Sequence, residues 1–208
     1  MIQNDFESKG FLVIKKAISE DLAQFCFDYI NLKRKVTLKL FEDREISPYT
    51  RFLGHWADEQ APKTYAHYAD IVMETLLLKC KRILEKETKL KLVENYSYVR
   101  IYKKHDSLFR HKDRPECEIS CTMNLGGDPW AIYMKNKKQY KVMLTPGDLI
   151  IYRGCDLEHW RDVFTGENCT QVFLHYSDKN KKDIDKTKYD GRPFIGLPEF
   201  YKVRNGNN

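Results

Sequence analysis

The run from Glu116 to Leu125 alternates without a break. Cys117, Ile119, Cys121, Met123 and Leu125 share one side of an extended chain; Glu118, Ser120, Thr122 and Asn124 share the other. A strand with one apolar face and one face of small polar groups can bury both only inside a layered fold. The apolar face is expected to pack on helices and the polar face to line an interior. Residues 96–104 alternate in the same way, and further strands fit 130–135, 139–144, 149–153, 159–164 and 170–176. Turns at Gly126-Gly127-Asp128-Pro129 and Pro146-Gly147-Asp148 separate them. Seven or eight short strands at this spacing predict a sandwich or barrel. The last strand is two-faced as well, with Thr170, Val172, Leu174 and Tyr176 opposite Gln171, Phe173 and His175. An unpaired buried polar group costs about 1–3 kcal/mol. Gln171 and His175 are therefore expected to line a polar cavity.

Helical periodicity belongs to the first half. A strand is expected over residues 11–14. Ser19 then reads as an N-cap, with Glu20 and Asp21 in the first turn, and Leu22, Phe25, Cys26, Tyr29 and Ile30 as the apolar stripe. A second helix is expected from after Pro62 to about Thr88, with Ala69, Val72, Leu76, Cys80 and Ile83 facing the core. Residues 36–64 look irregular, and a connection that long is often functional, such as a lid. His55 within it reads as a surface histidine or a supporting one.

At 208 residues with 13% aromatics, the chain suits one packed domain rather than a disordered one. Residues 1–94 are expected to form helical support, 95–178 the β core, and 179–208 a basic tail. No apolar run is long enough to span a bilayer, and Met1–Gly10 lacks the pattern of a secretory signal. Six cysteines without a CxxC pair suggest reduced thiols and a cytoplasmic setting. The sequons at Asn95 and Asn168 then carry no meaning. Lys179–Arg192 holds six basic and three acidic residues of a chain with net charge +6, and reads as a solvated tail. It contains one aromatic, Tyr189, so a stacking platform for nucleic acid is not expected.

The chemistry-bearing pattern is His111-Lys112-Asp113 followed by His159. Two imidazoles and one carboxylate form the facial triad that binds ferrous iron and leaves positions open. Six histidines and sixteen aspartates give about 0.5 His-x-Asp pairs by chance, so context must carry the assignment. His111 and Asp113 could instead form a turn, and His159 could be a core histidine. The context is a His-x-Asp opening a strand pattern, and a His that follows Pro146-Gly147-Asp148 and another strand.

In order and spacing, His111-Lys112-Asp113-Arg114-Pro115, Leu144-Thr145-Pro146-Gly147-Asp148 and His159-Trp160-Arg161 resemble the iron(II)- and 2-oxoglutarate-dependent dioxygenases, prolyl 4-hydroxylase-like branch. The resemblance spans roughly residues 95–178. It implies a double-stranded β-helix (jelly roll) with N-terminal helices packed on the major sheet. It implies Fe(II) held by His111, Asp113 and His159, 2-oxoglutarate as cosubstrate, and hydroxylation of a C–H bond with release of succinate and CO2. It implies a peptidyl or small-molecule substrate. Nucleic acid is not expected as a partner, because no base-reading element is evident, nor a membrane, because no apolar run is long enough. Such enzymes place an Arg or Lys about ten residues or more past the distal His, to grip the cosubstrate's distal carboxylate. Asn168-Cys169-Thr170-Gln171-Val172 has none. Arg161 is the first candidate for that grip, with Tyr102 and Gln171 assisting and Arg114, Arg100, Arg153 and Lys135 as rivals. A bland reading gives Arg161 an ion pair with Glu158, Asp162 or Glu167. The alternative for the whole chain is a cupin-like metal-binding jelly roll without oxygenase activity.

Overall fold

The computed structural model describes residues 5–182 and 184–202; the remainder of the expected tail, and Met1–Asn4, lie outside the described residues. The chain runs α1 (Asp5–Lys9), β1 (Phe11–Ile14), α2 (Glu20–Glu42), β2 (Tyr65–Tyr68), α3 (Ile71–Thr88) and β3 (Leu92–Lys103). It continues through β4 (Leu108–His111), β5 (Ile119–Gly127), β6 (Ile132–Lys135), β7 (Gln139–Val142), β8 (Leu149–Arg153), β9 (Glu158–Arg161), β10 (Asn168–Asp178) and α4 (Ile184–Thr187). Six strands form one antiparallel sheet in the order β1-β8-β5-β10-β3-β2; four form a second, β4-β9-β6-β7. Two facing sheets and two flanking helices make a sandwich, as the alternating strands imply, and it is the jelly roll that the resemblance implies.

The largest core joins α2 and α3 to the outer face of the six-stranded sheet. Cys121, Met123 and Leu125 of β5, and Val172 and Leu174 of β10, meet Ala23, Cys26, Leu77 and Leu84 of the helices there. The opposite faces of β5 and β10 turn inward, and Ser120, Thr122, Asn124, Gln171 and His175 are all buried. Asn124 donates to the Leu144 carbonyl (2.9 Å), tying the interior to the Pro-Gly-Asp turn.

Several helical expectations are corrected. Ser19 does cap α2, its Oγ accepting from Leu22 N at 3.3 Å, but the helix continues to Glu42, so residues 36–42 are not irregular. Phe25 is 59% exposed; Ala23, Cys26 and Ile30 occupy the buried stripe. The second helix does not start after Pro62. Tyr65–Tyr68, rich in aromatics, adds a strand to the sheet edge beside β3. Ala69 is left-handed (φ 54°), and Asp70 then caps α3, its Oδ1 accepting from Val72 N (2.9 Å) and Met73 N (3.2 Å). Near the other end of the chain, the solvated tail is also corrected. Arg192 is buried and donates to the Asn95 carbonyl (3.0 Å) and to Glu74 (3.3 Å). Asp190 is buried and accepts from Arg114, Tyr68 and Lys202. The segment after β10 is thus strapped across β3, because its charges find buried partners. Among the described residues no helix is long and apolar enough to cross a membrane, and all six cysteines are free.

Candidate metal centre

Cross-strand register builds the site. His111 ends β4 directly opposite His159 of β9, which puts two imidazoles side by side with ring centroids 4.2 Å apart. Asp113 lies two residues beyond β4, and its backbone N–H donates to the Gly154 carbonyl (2.9 Å) at the end of β8. Its Oδ1 sits 3.5 Å from His111 Nε2 and 3.4 Å from His159 Nε2. One donor atom from each of the three lies within 4.8 Å of the others, a spacing that a single metal ion can bridge.

The imidazoles are oriented for that task. His111 Nδ1 is 2.7 Å from the Phe109 carbonyl and His159 Nδ1 is 3.1 Å from the Leu157 carbonyl. A carbonyl only accepts, so each Nδ1 carries its proton and each Nε2 is left as a lone-pair donor facing Asp113. Asp113 is mostly buried. Burial alone would raise its pKa, but the contacts with His111 and His159 hold the carboxyl far below the usual range. For His111, burial lowers the pKa and the Asp113 and Phe109 contacts outweigh it, so the ring sits above the ordinary imidazole value without a metal. Asp113 Oδ2 accepts from Ser120 Oγ (2.7 Å), and Ser120 Oγ lies 3.0 Å from His175 Nδ1. Gly154 closes the site from behind. A Cβ there would overlap Asp113 Oδ2 and the Cys117 carbonyl, so only glycine leaves the carboxylate room.

A cavity of about 350 Å³ opens on the three ligands, with Tyr96, Tyr98, Arg100 and Arg114 on its walls and His175 beside them. Arg161, Tyr102 and Gln171 do not line it; they sit in the interior just beyond. Arg161 shares the inward side of β9 with His159 and is 2% exposed. Its Nη1 donates to the Trp130 carbonyl (2.7 Å) and its Nη2 to Gln171 Oε1 (3.3 Å), while Nε has no partner. Burial pushes the guanidinium pKa down. Glu158 pairs with Arg110 and Glu167 with Lys104, so the bland ion pair for Arg161 is absent among the described residues. A buried cation without a carboxylate is expensive. Tyr102 instead accepts from Arg100 (3.1 Å).

Of the rivals, Arg100 reaches the cavity but its charge is spent. Asp58 accepts from its Nε (2.6 Å) and Nη2 (3.1 Å), and Gln60 accepts from Nη2 as well (2.8 Å). Asp58 also accepts from Tyr98 Oη (2.8 Å), so residues 58–60 of the expected lid are pinned to the cavity wall. Sequence reasoning missed Asp58, Gly154 and Ser120 as parts of the site. Ser120 carried a signal, its place on the polar face of the alternating run. His55 lies away from the metal centre, bridging Ala66 in a separate cavity with Tyr49 and Phe52.

No family model matches the sequence, and no curated protein matches it. Solved structures do match in fold. The prolyl-4-hydroxylase of Pseudomonas putida superposes with TM-score 0.60 at 12% identity, over 85% of this chain and 96% of that one. HygX of Streptomyces hygroscopicus, a structure holding nickel and 2-oxoglutarate, gives 0.59 at 13% identity over 86% of each chain. An oxidoreductase of the 2OG-Fe(II) oxygenase family from Burkholderia pseudomallei gives 0.57 at 14% identity, over 83% of this chain and 88% of that one. At these identities the likeness is one of fold, and the fold is the jelly roll these oxygenases use.

Proposed function

On a chain with this fold and these donor atoms, we propose an iron(II)- and 2-oxoglutarate-dependent dioxygenase that hydroxylates a C–H bond. The observation that carries the reading is the convergence of His111 Nε2, His159 Nε2 and Asp113 Oδ1 in one bridgeable group, with both Nδ1 protons committed to backbone carbonyls. Two imidazoles and one carboxylate that leave positions open are the ligand set characteristic of non-haem iron(II) oxygenases. Bound there with 2-oxoglutarate and oxygen, the metal would supply the oxidising chemistry, with succinate and CO2 released.

The chain's own part is holding and screening. His111, Asp113 and His159 fix the coordination geometry. Arg161 supplies the missing grip for the distal carboxylate. It lies two residues along β9 from His159, about 7 Å at the usual strand rise, a reach suited to a five-carbon diacid. Gln171 orients the guanidinium through Nη2 and Trp130 through Nη1, and the unpartnered Nε is the donor left over for an anion. Tyr102, fully buried, closes the same interior against water. The 350 Å³ cavity, walled by Tyr98, Arg100, Arg114 and His175, takes a small molecule or one side chain of a peptide. HygX also has a structure with hygromycin B bound, and the Pseudomonas protein is a prolyl-4-hydroxylase, so both substrate classes have precedent on this fold.

A cupin-like metal protein without oxygenase chemistry is the second reading. What favours it is that β10, from Asn168 to Asp178, carries no Arg or Lys. The two separate on succinate: purified protein with Fe(II), ascorbate and oxygen should convert 2-oxoglutarate to succinate slowly even without substrate, and Asp113→Ala should abolish it. No succinate above the Asp113→Ala background, across candidate substrates, would favour the second reading.

A further inference from the structure

The two oxygens of Asp113 meet different surroundings. Oδ1 faces both imidazole Nε2 atoms at 3.4–3.5 Å. Oδ2 points away from them, into a cradle of Ser120 Oγ at 2.7 Å with Gly154 packed too closely for any side chain. Behind the hydroxyl stands His175, its Nδ1 3.0 Å from Ser120 Oγ. Ser120 and His175 are direct cross-strand partners on β5 and β10, so the pair is set by the register of the six-stranded sheet rather than by a loop. Ser120 is 0% exposed and His175 6%.

Proton accounting fixes the direction of the chain. The Ser120 hydroxyl faces two acceptors, Asp113 Oδ2 at 2.7 Å and the Cys117 carbonyl at 2.9 Å, and its one proton goes to the shorter contact, whose acceptor is charged. Having spent its one proton on Oδ2, Ser120 Oγ can only accept from His175, so Nδ1 carries a ring proton. His175 packs against the Tyr96 ring, with centroids 4.5 Å apart and the planes tilted by 32°, and both rings line the cavity that opens on the metal ligands.

We propose that His175 and Ser120 form a positioning relay, His175 Nδ1–H to Ser120 Oγ–H to Asp113 Oδ2, that confines Asp113 to one-oxygen ligation through Oδ1. The inference rests on the metal-binding reading above and adds to it two residues that touch no metal. A carboxylate free to turn would offer both oxygens and occupy a further coordination position, one that an exchangeable ligand needs. Holding Oδ2 keeps that position open. Because His175 also forms part of the cavity wall, the relay runs from the space where a substrate would sit to the ligand itself. Residues that hold a metal ligand in this way typically change metal affinity ten- to a hundredfold when removed.

The test uses the whole chain loaded with Co(II), whose visible absorption reports coordination number, with affinity from titration. Ser120→Ala should bind Co(II) about ten- to a hundredfold more weakly than the parent, with a changed absorption envelope as Oδ2 joins the metal. His175→Phe keeps an aromatic ring against Tyr96 and removes the donor; it should shift both readouts in the same direction. His175→Asn, whose amide can replace the Nδ1 donor, should restore them toward the parent. In the unaltered chain, nitrogen-resolved NMR should find a slowly exchanging His175 Nδ1 proton, a check that needs no variant to fold. Ser120→Ala and His175→Phe binding Co(II) with the parent's affinity and envelope would overturn the relay while leaving the metal site intact. A parent that binds no Co(II) or Fe(II) would overturn the metal-binding reading, and the relay with it.

Discussion

Replacing Arg161 with methionine should separate ligand binding from fold stability. The guanidinium is 2% exposed, has no carboxylate partner among the described residues and leaves Nε unpaired. Removing it strands the Trp130 carbonyl and the Gln171 amide, each worth about 1–3 kcal/mol. It also removes the desolvation cost of a buried cation, several kcal/mol. The two sides nearly cancel, so the ligand-free variant should melt within a few degrees of the parent. Binding behaves differently. With metal present and 2-oxoglutarate at about a hundred times its Kd, the parent gains about 2.7 kcal/mol. At about 2–4 °C per kcal/mol for a domain this size, that is a rise of about 5–10 °C. Losing one or two charge-assisted hydrogen bonds, at about 1.5–3 kcal/mol each, weakens the diacid by at least tenfold and shrinks or erases the rise at the same concentration. Arg100→Met is the contrast. It strands Asp58, a buried carboxylate, and should cost about 3–5 kcal/mol of fold stability with or without ligand. Differential scanning fluorimetry of the three proteins, with and without 2-oxoglutarate, reads all of this. A full ligand-dependent rise retained in Arg161→Met would refute the anchor.

Other outcomes follow from the same contacts. Gly154→Ala should abolish or greatly weaken metal binding while the chain still folds, because its Cβ competes with Asp113 Oδ2 for space; titration against a chelating dye checks it. Asp148 accepts from Lys15, Lys16 N, Thr145 N and Thr145 Oγ1, so Asp148→Ala should cost about 2–4 kcal/mol in urea unfolding. Burial opposes ionisation of Asp148, but Lys15 and Thr145 bring its pKa down to about 2. A lowered carboxyl pKa stabilises above the unfolded value, so the gap between parent and variant should close as pH falls from about 4 to 2. Burial pushes His175 down to about 4. The unfolded chain then binds more protons below about 6.5, and the metal-free protein should lose about 3 kcal/mol as pH falls from 6.5 to 4; a His175→Asn variant should lose that much less across the same window.

The β core was legible because its strands advertise two faces. The alternation over Glu116–Leu125 placed Ser120, Thr122 and Asn124 inside, and Gln171 and His175 likewise, and all five are buried. The helices were less legible at their ends. A continuous apolar pattern ran through Ala69 and Val72, while a left-handed Ala69 and the Asp70 cap divide strand from helix there, and such local geometry leaves little periodic trace. The metal-ligating residue types at His111, Asp113 and His159 were readable as a pattern, and it took cross-strand register to bring them together. What supports them was not readable. Asp58 reaches Arg100 across 42 positions of chain, Ser120 meets His175 across 55, and Arg192 meets Glu74 across 118. Pairings at that range are set by the whole fold. The charge pattern of Lys179–Arg192 misled for a related reason, since charge composition cannot tell a solvated run from one whose key members are matched inside.

The measurement that bears most directly on the account is anaerobic addition of Fe(II) and then 2-oxoglutarate to the parent and to His111→Ala, followed by visible absorption. Chelation of a 2-oxo acid to ferrous iron gives a metal-to-ligand charge-transfer band. The account predicts a band in the parent that saturates with both components and is absent in His111→Ala. Iron bound by the parent with no band at any 2-oxoglutarate concentration would contradict it.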